Sequence, residues 1–219
     1  MRTTQISRTD LFKLLHNGLN ELGQMYSREV ESQLIRFIEL MHQQNRIYNL
    51  TSIRDLDTMV SRHLLDSLSI ATYIKSKNIL DVGTGAGLPG IPLAIALPDC
   101  RFVLIDNNPK KIKFLQQVVY QLQLRNVQII HSNIEVYLPG ADKLFNTIIC
   151  RSFGIFPDFL TQIQSVLAPN AQILAMKGVY PQTELEQIKT PFRLVQTYPL
   201  NVPYLNAERH VIEVVFESH

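Results

Sequence analysis

The sequence predicts an α/β protein: a Rossmann-like, mostly parallel sheet of seven strands with an antiparallel C-terminal edge and an N-terminal helical lid. Three observations predict it. After Lys77, short apolar runs alternate with helical segments, the pattern of a parallel sheet covered on both faces. The last two runs, near 192–198 and 211–216, are separated by Pro199 and Pro203 without a helical pattern, which reads as an antiparallel hairpin. Before residue 75 the apolar residues recur at helical spacing instead.

In chain order, Val30, Leu34, Phe37, Ile38 and Met41 follow Ser27, a suitable N-cap. Met59, His63, Leu64, Leu68 and Ala71 make a second helical stripe, with Asp57 expected to cap it. A polar and aromatic connector, residues 45–52, joins the two. Strands are expected at 78–82, 102–106, 127–131, 147–150 and 172–176. Helices are expected at 89–97 and 109–124, each opened by a proline, whose fixed φ suits the first helical turn. Residues 1–75 thus form a helical extension packed on a catalytic core of residues 76–219, together one structural domain.

Bulk properties narrow the class. A chain of 219 residues can bury a full core, and 46% hydrophobic with 18% charged residues is ordinary globular usage. No apolar run of about 18 residues is present, and residues 1–5 lack the apolar stretch of a signal peptide. A cytoplasmic, monomeric enzyme is expected. Cys100 and Cys150 make neither a disulfide framework nor a metal-ligand spacing, so no metal is expected. The net charge of +2 is too small to demand a nucleic-acid partner. Lys110, Lys111 and Lys113, with Arg101 and Arg125, surround a single acid, Asp106; a solvated helix face accounts for this, and a phosphate-contacting surface is the alternative.

The chemistry is concentrated after the first strand. Gly83, Gly85, Gly87 and Gly90, four of the nine glycines, fall within eight residues. Glycine permits positive φ and close approach of a ligand to the backbone. Pro89 at the helix start argues against a pyrophosphate, because proline has no N–H to offer an anion. Asp106 ends the second strand 23 residues beyond Gly83, where a carboxylate can accept both hydroxyls of a ribose. This spacing serves both dinucleotides and S-adenosylmethionine; the antiparallel C-terminal pair favours the latter. Ser132, Asn133, Ile134 and Glu135 follow the third strand, placed to frame an adenine. Arg151 ends the fourth strand, at the edge where α/β sheets open onto their ligand.

Several motifs then occur in a fixed order: Asn49-Leu50-Thr51-Ser52, Arg62-His63-Leu64-Leu65-Asp66-Ser67, the segment DVGTGAGLPGIP from Asp81 to Pro92, Arg151-Ser152-Phe153, Lys177-Gly178 and Glu208-Arg209-His210. Together they resemble the bacterial RsmG (GidB) family, class I methyltransferases that modify a guanine at N7 in 16S ribosomal RNA. The likeness runs from about Leu34 to Phe216. It implies S-adenosyl-L-methionine as cofactor, held by Gly83, Gly85, Gly87, Leu88, Ile134, Glu135 and Arg151 with Asp106 near the ribose. It also implies that 16S rRNA, free or in the small ribosomal subunit, meets the rim of Arg62, His63, Lys177, Arg209 and His210. Two positions depart from the family: Asn133 stands where many members have arginine, and Asn107-Asn108 where relatives carry a serine-containing pair, which leaves helix capping intact.

The expected chemistry is in-line attack of the guanine N7 lone pair on a sulfonium methyl, with no general base, because neutral N7 carries no proton. The residues show no base constellation, in keeping with this; alignment and removal of water do the work. Arg151 is expected to orient the cofactor's carboxylate or guanine O6, since a bond to N7 occupies the reacting lone pair. Lys177 is expected to bind a phosphate or orient the base. Arg209 and His210 are either phosphate contacts or guards of an edge strand. Tyr48 and Phe153 are candidate stacking partners for an extruded base. Two other readings stay open: methyl transfer to a different acceptor, and a dinucleotide-binding module that keeps the glycine turn.

Overall fold

The computed structural model describes residues 6–140, 144–151 and 154–217 of the chain. Helices α1 (Arg8–Glu21) and α2 (Arg28–Tyr48) come first. Ser7 and Ser27 cap them, their hydroxyls accepting the N–H groups of Asp10 and Val30. Asn49 ends α2 in the left-handed region at φ 49°, a conformation asparagine tolerates. A second helical run follows: α3 (Leu56–Met59), a π-helical stretch (Val60–Leu65) and α4 (Asp66–Leu68). Asp57 does not cap it. The cap position is Asp55, and Asp57 already lies in the first turn, its Oδ1 accepting the N–H of Thr58.

The sheet contains β1 (Asn78–Val82), β2 (Arg101–Asp106), β3 (Val127–His131), β4 (Phe145–Arg151), β5 (Leu167–Lys177), β6 (Phe192–Pro199) and β7 (His210–Phe216). Their order is β3-β2-β1-β4-β5-β7-β6. The five strands β1–β5 pair in parallel, and β7 runs antiparallel between β5 and β6. The expected mixed sheet is therefore present. Helices α5 (Gly90–Ala96) and α6 (Pro109–Gln121) connect the first three strands, α7 (Phe156–Ile163) joins β4 to β5, and α8 (Gln182–Leu185) precedes β6. Pro89 sits just before α5 rather than within it.

Two apolar layers flank the sheet, and strand alternation assigns side chains to them. Ile79, Phe102 and Leu104 join a cluster with Leu34, Phe37 and Met41 of α2 and Phe114 of α6. Leu80, Val82, Val103 and Ile105 face the opposite way, towards Phe156 and Phe159 of α7. The N-terminal helices and the sheet thus share one continuous core. Strand order reverses between β1 and β4, so the chains leaving their C-terminal ends diverge and open a crevice there. Among the described residues no helix is long and apolar enough to cross a membrane.

Candidate active site

The glycine turn is braced by two buried carboxylates. Gly83 and Thr84 donate their N–H groups to the carbonyl of Ile105, laying the turn across the end of β2. Asp106 then accepts the N–H of Gly85 on Oδ2 and that of Asn108 on Oδ1, each at 2.8 Å. Gly85 has φ +61°, a conformation that costs other residues about 1–2 kcal/mol. Asn108, not Asp106, caps α6: its side chain accepts the N–H groups of Lys110 and Lys111.

Asp81 lies on β1 beneath the same turn, fully buried. Its Oδ2 accepts the Thr84 hydroxyl at 2.6 Å and the Gly90 N–H at 2.9 Å. Its Oδ1 is buried with no hydrogen-bond partner among the described residues. Burial raises this carboxyl to about 6, against the opposing pull of Thr84, the Gly90 amide and the Arg151 charge.

Three cavities run along the C-terminal strand ends. The first, about 130 Å³, lies between Gly83, Asp106, Asn133 and Ile134. Ile134 is buried and supplies an apolar wall, while Glu135 is exposed and accepts a hydrogen bond from Asn133 at 3.3 Å. The second, about 240 Å³, runs over Gly83, Gly85 and Leu88 to Thr51, His63 and Arg151. The third, about 320 Å³, is bounded by Arg62, Asp66, Lys177, Arg209 and the same Thr51, His63 and Arg151. These three shared residues form the wall between the second and third cavities.

His63 belongs to the π-helical stretch and is 5% exposed. Its Nε2 lies 3.0 Å from the Thr51 hydroxyl, which also accepts the N–H of Ile53. Its Nδ1 is buried and makes no hydrogen bond among the described residues. Burial, and next the Arg151 charge, push the imidazole down to about 4. It is neutral at physiological pH and a weak base.

Arg151 uses Nη1 twice, donating to Asp66 Oδ2 at 3.1 Å and to the Arg62 carbonyl at 3.3 Å. Asp66 is 2% exposed, and its Oδ1 accepts Arg209 Nε at 2.9 Å. Lys177 donates to Glu184 Oε2 at 2.9 Å and to the Gly154 carbonyl at 3.1 Å. The Cys150 thiol is buried on β4, and burial raises it well above the usual thiol range, which makes it inert as a nucleophile.

Of the residues singled out from sequence, Gly83, Gly85, Leu88, Asp106, Ile134 and Arg151 line the first two cavities. Arg62, His63, Lys177 and Arg209 line the third with Arg151. Gly87 and Glu135 line none of the three: Gly87 packs on Ile91 and Leu115, and Glu135 faces outward. His210 stands behind the third cavity, its Nδ1 at 2.9 Å from the Gly178 carbonyl. Phe153 lies outside the described residues. Thr51, Asp66 and Asp81 stand in the quoted motifs without an assigned role, and Glu184 stands in none. Asp81 carried a signal, a lone carboxylate in an otherwise apolar strand; Asp66 carried one too, four residues beyond Arg62 on a helix. Glu184 carried none.

Comparison with known proteins shows the family. The family model described as rRNA small subunit methyltransferase G matches residues 30–212. A ribosomal RNA small subunit methyltransferase G of Nitrosococcus oceani is 44% identical over 201 residues, covering 92% of this chain and 93% of its own. The protein of the same name from Coxiella burnetii is 42% identical, with 91% and 96% covered. Among solved structures, a SAM-dependent O-methyltransferase of Thermotoga maritima superposes with TM-score 0.52 at 14% identity, covering 70% of this chain and 65% of its own. A tRNA m1G37 methyltransferase of M. jannaschii gives 0.52 at 15%, covering 70% and 49%. These last two share the fold. The chain belongs to the GidB family, the rRNA small subunit methyltransferases G.

Proposed function

We propose that the protein transfers a methyl group from S-adenosyl-L-methionine to N7 of one guanine in 16S ribosomal RNA, without a general base. Relatives over 40% identical carry the name of a small-subunit rRNA methyltransferase, which supports the acceptor class. The observation that carries the chemistry is the wall of Thr51, His63 and Arg151 between two cavities.

The residues present fit the cofactor. An apolar slot beside Ile134 suits an adenine, and Asp106 at the end of β2 lies beside it for a ribose. The Gly83–Gly85 turn and the Asp106 carboxylate offer backbone and carboxylate groups, not a phosphate cradle. When bound, the cofactor supplies an electrophilic methyl on a cationic sulfonium.

The chain's own groups then position and desolvate. Thr51 and His63 close the shared wall, and His63 stays uncharged there, so it adds no repulsion to a cationic methyl donor or a cationic product. Arg151 and Asp66 are engaged with each other, and neither serves as a proton acceptor. A nucleophile that must shed a proton finds only a weak base at this wall; guanine N7 has none to shed. Alignment in a dry site supplies the acceleration. Incubation of small subunits with labelled methyl donor tests the reading. Label at one guanine N7 supports it, and label absent from 16S rRNA overturns it.

A further inference from the structure

Asp66 joins three distant parts of the chain at the third cavity. It comes from α4, Arg151 from the end of β4, and Arg209 from the connection leading into β7. Two guanidiniums in one cavity repel, and a carboxylate at 2% exposure is costly unless paired. Each problem solves the other: one buried carboxylate takes a hydrogen bond from each arginine on separate oxygens.

The pairing leaves hydrogens over. Arg151 spends both hydrogens of Nη1, on Asp66 and on the Arg62 carbonyl. Arg209 spends Nε on Asp66 and one hydrogen of Nη1 on the Glu208 carbonyl. Nε and Nη2 of Arg151 and Nη2 of Arg209 make no hydrogen bond to a described residue, and both side chains line the cavity. With Arg62 also present, and Lys177 neutralised by Glu184, the cavity is cationic and rich in donors. It suits an acceptor edge of a base. Guanine offers O6 and N7 there, whereas adenine offers an amine in place of O6.

Resting on the methyltransfer reading above, we propose that Asp66 is the positioning residue of the acceptor pocket. It fixes Arg151 and Arg209 so that their remaining N–H groups take guanine O6 and leave N7 free. Asp66 touches neither substrate nor cofactor; it acts through the two arginines.

The test uses purified full-length wild type, Asp66→Asn, Arg209→Lys and Arg209→Ala. Substrates are small subunits carrying guanine, inosine or adenine at the modified position. Wild type should methylate guanine and inosine, which both carry O6, and reject adenine. Asp66→Asn and Arg209→Ala should lose about tenfold to a hundredfold in kcat/KM on guanine and inosine, the range for a charge-assisted hydrogen bond. Their preference over adenine should shrink, and S-adenosylhomocysteine affinity of the Arg209 variants, whose side chain lines the third cavity and not the second, should not change. Arg209→Lys keeps the charge without the fork and should fall between wild type and the alanine variant. Wild-type kcat/KM and discrimination in folded variants overturn the proposal, as does a parallel loss of S-adenosylhomocysteine binding in the Arg209 variants. Should Asp66→Asn fail to fold, the Arg209 pair decides by the same criteria. Wild type inactive on every 16S substrate defeats the parent reading instead.

Discussion

Replacing His63 by glutamine should change the pH dependence of stability in a calculable direction. His63 is held neutral, its imidazole pushed from 6.5 to about 4. Between those values the unfolded chain takes up a proton that the folded chain refuses, so His63 costs stability as pH falls. Asp81 opposes it: its carboxyl rises from 3.8 to about 6, so the folded chain takes up the proton and gains stability as pH falls. The two effects nearly cancel across roughly pH 4–6 in the wild type. His63→Gln removes one side of that balance and keeps a polar group beside Thr51. Relative to wild type, the variant should gain about 2 kcal/mol on moving from pH 7 to pH 4.5, from the depressed histidine alone. Asp81→Asn should move the other way by a similar amount. Urea denaturation at several pH values measures both differences, with other titrating groups cancelling between the proteins. A stability difference for His63→Gln that is flat over this range would refute the reasoning.

Other consequences are simpler to check. Gly87→Ala places a Cβ 2.5 Å from Ile91 Cγ1 and 2.7 Å from Leu115 Cδ2 at φ +87°; about 2–5 kcal/mol should be lost. Gly85→Ala meets nothing nearer than 3.8 Å and should cost only the backbone term of about 1–2 kcal/mol; equal costs at the two sites in urea titrations would be inconsistent with this packing. Arg151→Ala should fold and lose methyl transfer, and Arg151→Lys should be impaired as well; wild-type turnover in either removes Arg151 from the site. Because His63 is already uncharged, kcat should stay level from about pH 7 to 8, above the range in which Asp81 beneath the glycine turn titrates, and an acid limb in that window would reveal a general base after all.

Much of the parallel sheet could be read from local sequence. β1 and β3 carry the expected bounds because each is a short, mostly apolar segment bounded by turn residues. β5 begins five residues before the predicted start, since its ladder with β4 continues through a register shift between Phe145 and Thr147 that periodicity does not register. The π-helical stretch escaped notice because its apolar side chains still recur every three or four residues. Much of the lining of the first two cavities was legible because Gly83, Gly85 and the strand-end residues Asp106 and Arg151 each stand out in a short window. The Asp66–Arg209 pair was not. It joins residues 143 apart, and only the placement of α4 against the end of β4 and β7 brings them together. Asp57 misled for the opposite reason: a good capping residue stood two positions too late, inside the first turn.

Chemical mapping of the methyl group decides between guanine N7 and any other acceptor. Small subunits incubated with this protein and S-adenosyl-L-methionine are reduced with borohydride and cleaved with aniline, which breaks RNA at N7-methylguanine. One new cleavage in 16S rRNA is expected, at a single guanine, suppressed by excess S-adenosylhomocysteine. Methyl incorporation without cleavage at a guanine, or no incorporation into 16S rRNA, contradicts it.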